Sequence, residues 1–250
     1  MLDQQGELGV RRSMKNLAKA FLLSGLLSAI MLSAGFAQAA DRNWFTVGRG
    51  DLCVTEGTIE KAPGDRLSVD VPKMRAYVNA HTSQSIEMRF TYRGPTQKES
   101  ALGSGEQRRQ FGLKLRAHDP CNLVYAMWRI DPESKLVVSV KRNPTQHTSG
   151  ECSNHGYQNV KPRKAADAPH LRPGETHTLR AEMNKDELRV FVDDHQVWEG
   201  EVGPEAANLE GPIGIRSDNA SLEFNLKAGE PSGTHPDSVA ACKTGPENSD

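Results

Sequence analysis

The 250-residue chain lacks an excess of charge of either sign. Its 31 Lys and Arg stand against 32 Asp and Glu, a formal net charge of −1. That balance excludes a protein that coats nucleic acid through bulk positive charge, while leaving room for a local basic patch. Nucleic acid is therefore not an expected partner. Several catalytic signatures are missing too: no Ser-His-Asp arrangement, no glycine-rich phosphate loop and no cysteine placed as a nucleophile. Only four cysteines occur, none in a CxxC pair, so nothing suggests a zinc knuckle. No stretch of ten residues carries a helical stripe, which argues against a helical bundle. The 22 glycines and 14 prolines fit a turn-rich chain instead.

One apolar run stands out near the N-terminus. Lys15 and Lys19 precede an apolar stretch from Ala20 to Phe36, and Ala37-Gln38-Ala39 offers a small-residue cleavage site. This is the pattern of an export signal, and it predicts removal of residues 1–39, including an N-terminal extension, and a periplasmic or secreted location. The run is short, rich in Ser and Gly, and followed by no cationic stop-transfer patch, so no integral membrane anchor is expected. Cys53, Cys121, Cys152 and Cys242 all lie beyond it, and an even number in an exported chain favours two disulfides. Sequence permits three pairings. The favoured one joins Cys121 to Cys152 across a local hairpin and Cys53 to Cys242 across the two ends. A loop as long as the second removes on the order of 4–5 kcal/mol of unfolded-state entropy in the chain-entropy view.

After Asp41 the chain alternates with period two, the signature of half-buried strands. Strands are predicted over Trp44–Val47, Leu67–Val71, Arg75–Asn79, Ser85–Tyr92, Gln110–Ala117, Asn122–Ile130 and Leu136–Arg142. A second set covers His177–Met183, Glu187–Asp193, Gln196–Val202, Ile213–Ser217 and Ser221–Leu226. Turn chemistry separates them, as at Asn184-Lys185-Asp186 and Asp193-Asp194-His195. The expected fold class is all-β, a two-sheet antiparallel β-sandwich or jelly roll with few short helices. Gly94 to Arg108 reads as a long hairpin loop. Asn143 to Glu175 reads as a longer loop that is functional or disordered, with its first half pinned by Cys152.

The stretch from His177 to Leu226 resembles the closing strands of the concanavalin A-like lectin/glucanase (LamG-like) jelly rolls. Val190-Phe191-Val192-Asp193-Asp194 takes the place of that superfamily's "vyvDG" strand, and Gly211-Pro212-Ile213-Gly214-Ile215 that of its Gly-x-Ile-Gly strand. The resemblance implies a jelly-roll domain over 40–227, followed by a loose tail over 228–250 anchored by Cys242. It implies fold more than activity, since the superfamily hosts lectins, hydrolases, lyases and structural modules. The Glu-x-Asp-x-Glu strand of its glucanases is missing. Ser85-Ile86-Glu87-Met88-Arg89 resembles one strand of the alginate lyases, but their Gln-x-His and Tyr-Phe-Lys strands have no counterpart. Binding is thus favoured over catalysis.

Alternation assigns side chains to faces. Ile86, Met88, Phe90 and Tyr92 point one way and Glu87 and Arg89 the other; Phe111, Leu113, Leu115 and Ala117 oppose Lys114 and Arg116. Val124, Ala126, Trp128 and Ile130 oppose Tyr125, Met127 and Arg129, and Lys141 points outward from the next strand. If these strands are neighbours, one exposed face carries Arg89, Lys114, Arg116, Arg129 and Lys141 around Tyr125, with Glu87 among them. In the resembled superfamily the concave sheet is the usual glycan platform. Arginine suits carboxylate or sulfate because its planar fork donates two parallel hydrogen bonds, and Tyr125 offers a stacking surface. Solubility and edge protection explain such cations equally well.

The expected function is an exported carbohydrate-binding protein whose partner is an anionic or extended polysaccharide. The alternatives are a lyase or hydrolase with a diverged site around Glu87, Arg89, His118, Tyr125 and Arg129, and a structural envelope protein. Trp44, Trp128 and Trp198 are expected in the core. His118, Asp119, His147 and His155 show no metal-ligand spacing and read as solvated loop residues, so no metal site is expected. No cofactor is expected; Asp193, Asp194, Asp218 and Asn219 offer oxygens to Ca²⁺, and turn chemistry explains them equally well. Peptide mapping under non-reducing conditions should recover Cys121–Cys152 and Cys53–Cys242 fragments; a Cys53–Cys121 peptide would overturn both pairings.

Overall fold

In the computed structural model the described residues are 43–79 and 83–231. The expected export signal and Cys242, with most of the expected tail, lie outside them. Sixteen strands run in chain order. The first six are β1 (Phe45–Val47), β2 (Leu52–Glu56), β3 (Glu60–Ala62), β4 (Arg66–Val69), β5 (Lys73–Val78) and β6 (Ser85–Pro95). Next come β7 (Arg109–Asp119), β8 (Asn122–Asp131), β9 (Lys135–Lys141), a one-turn helix α1 (Ser149–Cys152), β10 (Tyr157–Asn159) and β11 (Lys164–Ala165). The chain continues through β12 (Thr176–Asn184), β13 (Glu187–Val192), β14 (His195–Glu201), α2 (Pro204–Ala207), β15 (Gly214–Asp218) and β16 (Ala220–Ala228). No described helix is long and apolar enough to cross a membrane.

The strands form two antiparallel sheets. The first has nine strands, ordered β11-β14-β13-β12-β6-β16-β4-β3, with β1 also paired to β16. The second has seven, ordered β10-β9-β8-β7-β15-β5-β2. Every strand predicted from alternation is present, and the architecture is the all-β sandwich expected. The strands not foreseen are β2, β3, β10 and β11, which are short and lie toward sheet edges. The turns at Lys185 and at Asp193-Asp194 carry the positive φ angles of tight hairpins, 55°, 48° and 62°; Asp tolerates this region better than most residues.

Between the sheets lies a single large apolar core. Phe90 of the nine-stranded sheet meets Phe111 and Trp128 of the seven-stranded sheet, with ring centroids 4.5 and 5.7 Å apart in edge-on geometry. Aromatic pairs favour this arrangement because the positive ring edge meets the negative face. Trp128 is 0 % exposed and Trp198 is buried, as expected, while Trp44 is only partly covered.

Two further expectations fail. The segment from Gly94 to Arg108 is not a hairpin loop: β6 and β7 belong to different sheets, so it crosses from one layer to the other. The predicted alternation of Arg116 and Ala117 is also inverted. Arg116 has φ 48°, and the pairing of β7 with β8 is irregular between Leu115 and Asp119. Arg116, Ala117 and His118 of β7 stand opposite the single Leu123 of β8, and the left-handed turn at Arg116 reverses the face taken by the next side chain. Ala117 therefore packs with Leu123, Tyr125 and Met127 on the far side of the sheet.

Trp128→Ala should cost about 3–5 kcal/mol of stability, because the hole left among Phe90 and Phe111 cannot close. Urea unfolding measures this, and a loss below about 1 kcal/mol would contradict the packing described.

Candidate functional site

The seven-stranded sheet turns one face to the core and the other away from it. Rows across that outer face follow from the register. One row runs Tyr77, Gly214, Lys114, Tyr125 and Ser139; the next runs Arg75, Arg216, Gly112 and Met127. Glycine at 214 is demanded by the backbone, since a Cβ there would lie 2.2 Å from the Ala76 carbonyl oxygen. With no side chain between them, Lys114 reaches over and places Nζ 3.9 Å from the Tyr77 ring centre, a cation–π contact.

This face is covered rather than open. Lys114, Tyr125, Met127 and Lys141 are all buried. Part of the cover is the chain between β9 and β10, which folds back over the sheet. The Cys121–Cys152 disulfide, as predicted, fastens α1 to the start of β8, with Cα atoms 5.8 Å apart. Lys141 donates to the Ser153 carbonyl oxygen at 2.8 Å, and β10 then adds itself beside β9. Tyr157, on β10, stacks on Tyr125 at 5.9 Å with 28° between ring planes. It is also the exposed large apolar side chain of the described residues, at 39 %.

At the centre sits a charge cluster around Asp218, which the sequence offered as a Ca²⁺ oxygen or as turn chemistry. Asp218 is 0 % exposed. Its Oδ1 accepts from Arg75 Nη2 at 2.6 Å, and its Oδ2 accepts from Arg216 Nε at 2.8 Å and Gln110 Nε2 at 2.7 Å. Burial alone would raise its pKa, yet the Arg216 and Arg75 charges and these hydrogen bonds hold it well below the usual carboxylate range. Arg216 continues outward: Nη1 donates to the Tyr157 hydroxyl at 3.1 Å, and the guanidinium lies 5.2 Å from the Tyr125 ring centre. Burial pushes Lys114 well below the ordinary lysine range, and Arg75 and Arg216 add to the effect. Lys141 is lowered likewise, first by burial. Burial pushes the Tyr125 phenol up, whereas the Arg216 and Lys141 charges bring Tyr157 down against the same desolvation.

The expected seven-residue face is therefore partly assembled. Lys114, Tyr125 and Lys141 do come together. Glu87 and Arg89 do not join them, because β6 belongs to the other sheet; Glu87 lies within 3.7 Å of Arg180 and 3.4 Å of Lys227 there. Arg116 is diverted by the bulge. Its guanidinium donates to the Ala207 and Ala206 carbonyls at the end of α2 and to Gln84, a structural task. Arg129 shares the outer face but lies beyond Gln110 in a shallow mixed-charge depression with Glu106, Arg108, Glu133 and Lys135. The diverged catalytic constellation that needed Glu87, Arg89, His118, Tyr125 and Arg129 together is thus dispersed. Arg75, Arg216, Tyr77 and Tyr157 are the members that sequence reasoning missed. Tyr157 had no strand signal, while the alternation through Arg75–Asn79 and Ile213–Ser217 already put Arg75, Tyr77 and Arg216 on one parity.

The oxygens considered for Ca²⁺ do not converge. Asp218 is committed to its three donors. Asn219 bonds the Ser100 backbone, and Asp193 accepts from His177 and the Thr178 amide in another turn.

No family model matches this sequence, and no curated protein matches it either. Solved structures do resemble the fold. A carbohydrate-binding module, CBM66 from Bacillus subtilis, is 16 % identical, covering 73 % of this chain and 92 % of its own, with a TM-score of 0.47. The Crh5 transglycosylase is 11 % identical, covering 76 % and 84 %, at 0.45. The galectin LEC-6 of Caenorhabditis elegans is 12 % identical, covering 69 % and 95 %, at 0.36. Overlap of this extent concerns the sandwich architecture and gives no residue a role.

The buried amine has a pH signature. Between its lowered folded-state pKa and the unfolded value of about 10.4, the unfolded chain holds a proton that the folded chain lacks, so stability rises with pH across that window. Lys114→Met should lack this rise. Its advantage over the wild type in urea midpoint should shrink from about pH 6 to about pH 9.5, and equal pH slopes for the two proteins would contradict the burial of a titrating amine.

Proposed function

We propose that this chain is an exported carbohydrate-binding protein that takes an anionic, extended polysaccharide at Tyr157, where the covered outer side of its seven-stranded sheet reaches solvent. The observation that carries the reading is the exposed Tyr157 ring, stacked on Tyr125 and flanked by Arg216 and Lys141, whose Nζ lies 5.1 Å from the ring centre. A flat aromatic offers the apolar face of a sugar a surface to stack on. Guanidinium groups beside it suit a uronate or sulfate, and their partial burial strengthens each charge-assisted bond relative to one made in bulk water. Arg75 and Arg216 stand against Asp218, with Glu56 3.7 Å from Arg75, and Lys141 adds a further cation beside Tyr157. The Asp218 carboxylate is engaged by three donors, which makes it a poor acid or base for glycoside cleavage.

Affinity electrophoresis against alginate and polygalacturonate, with a neutral β-glucan as control, tests this reading. The protein should be retarded by the acidic gels and hardly by the neutral one, with retardation falling as salt rises. Tyr157→Ala should weaken binding about 3- to 10-fold, the worth of one aromatic contact. Arg89→Glu, on the other sheet, should change nothing. Loss with Arg89→Glu and none with Tyr157→Ala would move the site to the nine-stranded sheet, and new ultraviolet absorbance or reducing ends on incubation would establish a lyase or hydrolase.

A further inference from the structure

We infer that His118, Asp119 and His147 form a binding site for one divalent cation of the zinc or copper class. Sequence spacing showed no such site, because the donors come from two segments far apart in the chain. His118 and Asp119 end β7, and His147 lies in the loop after β9. Folding brings one ligand atom from each to within 4.8 Å of the others. His147 Nδ1 already lies 2.8 Å from Asp119 Oδ2, and the two imidazole rings are 6.5 Å apart at 65°.

The surroundings hold these donors in place. Asn122 is 0 % exposed, and its amide nitrogen donates to both Asp119 oxygens, at 2.9 and 3.0 Å, and to the Gln146 carbonyl at 3.0 Å. Its own carbonyl oxygen accepts from the Asn143 amide at 2.9 Å and from Arg142 at 2.8 Å. One buried side chain thereby fixes the carboxylate and the base of the loop that carries His147. The Cys121 amide donates to Asp119 Oδ1 at 2.8 Å. On the other side, the backbone N–H groups of His147 and Thr148 both donate to Glu151 Oε2, at 2.8 and 2.9 Å. Such supporting bonds are what orient metal ligands in protein sites.

Two imidazoles and one carboxylate make a nitrogen-rich set. It suits a borderline cation and not Ca²⁺ or Mg²⁺, which prefer all-oxygen shells. Both histidines are exposed, so water or a ligand from outside can complete a four-coordinate shell. A cation here would also tie the loop leading to Tyr157 to the end of β7, across the same gap that the disulfide spans.

The test uses the intact purified protein, stripped with EDTA and dialysed, then titrated calorimetrically with zinc sulfate and, separately, calcium chloride. One Zn²⁺ should bind per chain, Ca²⁺ should give no heat, and the melting temperature should rise with Zn²⁺ because the ion binds the folded chain. His118→Ala is the clean variant, since it leaves the Asp119–His147 bond intact. It should keep the melting temperature of the stripped wild type and bind Zn²⁺ about tenfold or more weakly. His147→Ala should bind at least as weakly. Absence of Zn²⁺ binding, unchanged affinity in both variants, or equal binding of Ca²⁺ would each overturn the assignment.

Discussion

A sheet covered on both faces must find partners for whatever polar groups point away from the core, because an unpaired buried charge costs several kcal/mol. In this protein that constraint falls on the seven-stranded sheet. Its inner face is largely apolar and packs through Phe111 and Trp128 onto Phe90. The outer face carries Arg75, Arg216, Gln110 and Lys114, and all but Lys114 are drawn together by the buried Asp218. Without that carboxylate the Arg216 guanidinium would lose its ion pair and Arg75 would keep only Glu56, 3.7 Å away.

The same constraint explains how the chain after β9 comes to lie where it does. Lys141 loses water when covered, and the Ser153 carbonyl and the disulfide sulfur of Cys152 are what it meets instead. Asn122 satisfies the backbone at the base of that segment, and the disulfide holds its helix. Tyr157 then arrives over Tyr125 as a consequence of how the segment is fastened. The groups that make the cover stable are also those that give the face its positive, aromatic character.

Local pattern carried the prediction of strands well. Period-two alternation persists through long segments such as Ser85–Tyr92 and His177–Met183, and burial of one face enforces it. It failed for β10 and β11, which are only three and two residues long and exposed. Such edges form because a neighbouring strand offers free hydrogen-bonding groups, and no property of their own sequence announces them. Parity was also read correctly for Lys114, Tyr125 and Arg129, and incorrectly for Arg116, where β7 turns through a positive φ and its pairing with β8 becomes irregular.

The sequence by itself determined the all-β class, the positions of the long strands and, outside the irregular end of β7, which side chains share a face within each strand, since all of these follow from short-range periodicity and turn chemistry. Tertiary structure alone decided which strands are neighbours. That step sent Glu87 and Arg89 to one sheet and Lys114, Tyr125 and Lys141 to the other, brought in Arg75, Arg216 and Tyr157, and set His147 against His118 and Asp119. The reason is physical: pairing of distant strands and loops is settled by the burial and charge compensation of the whole sandwich, and no local window of residues contains that information.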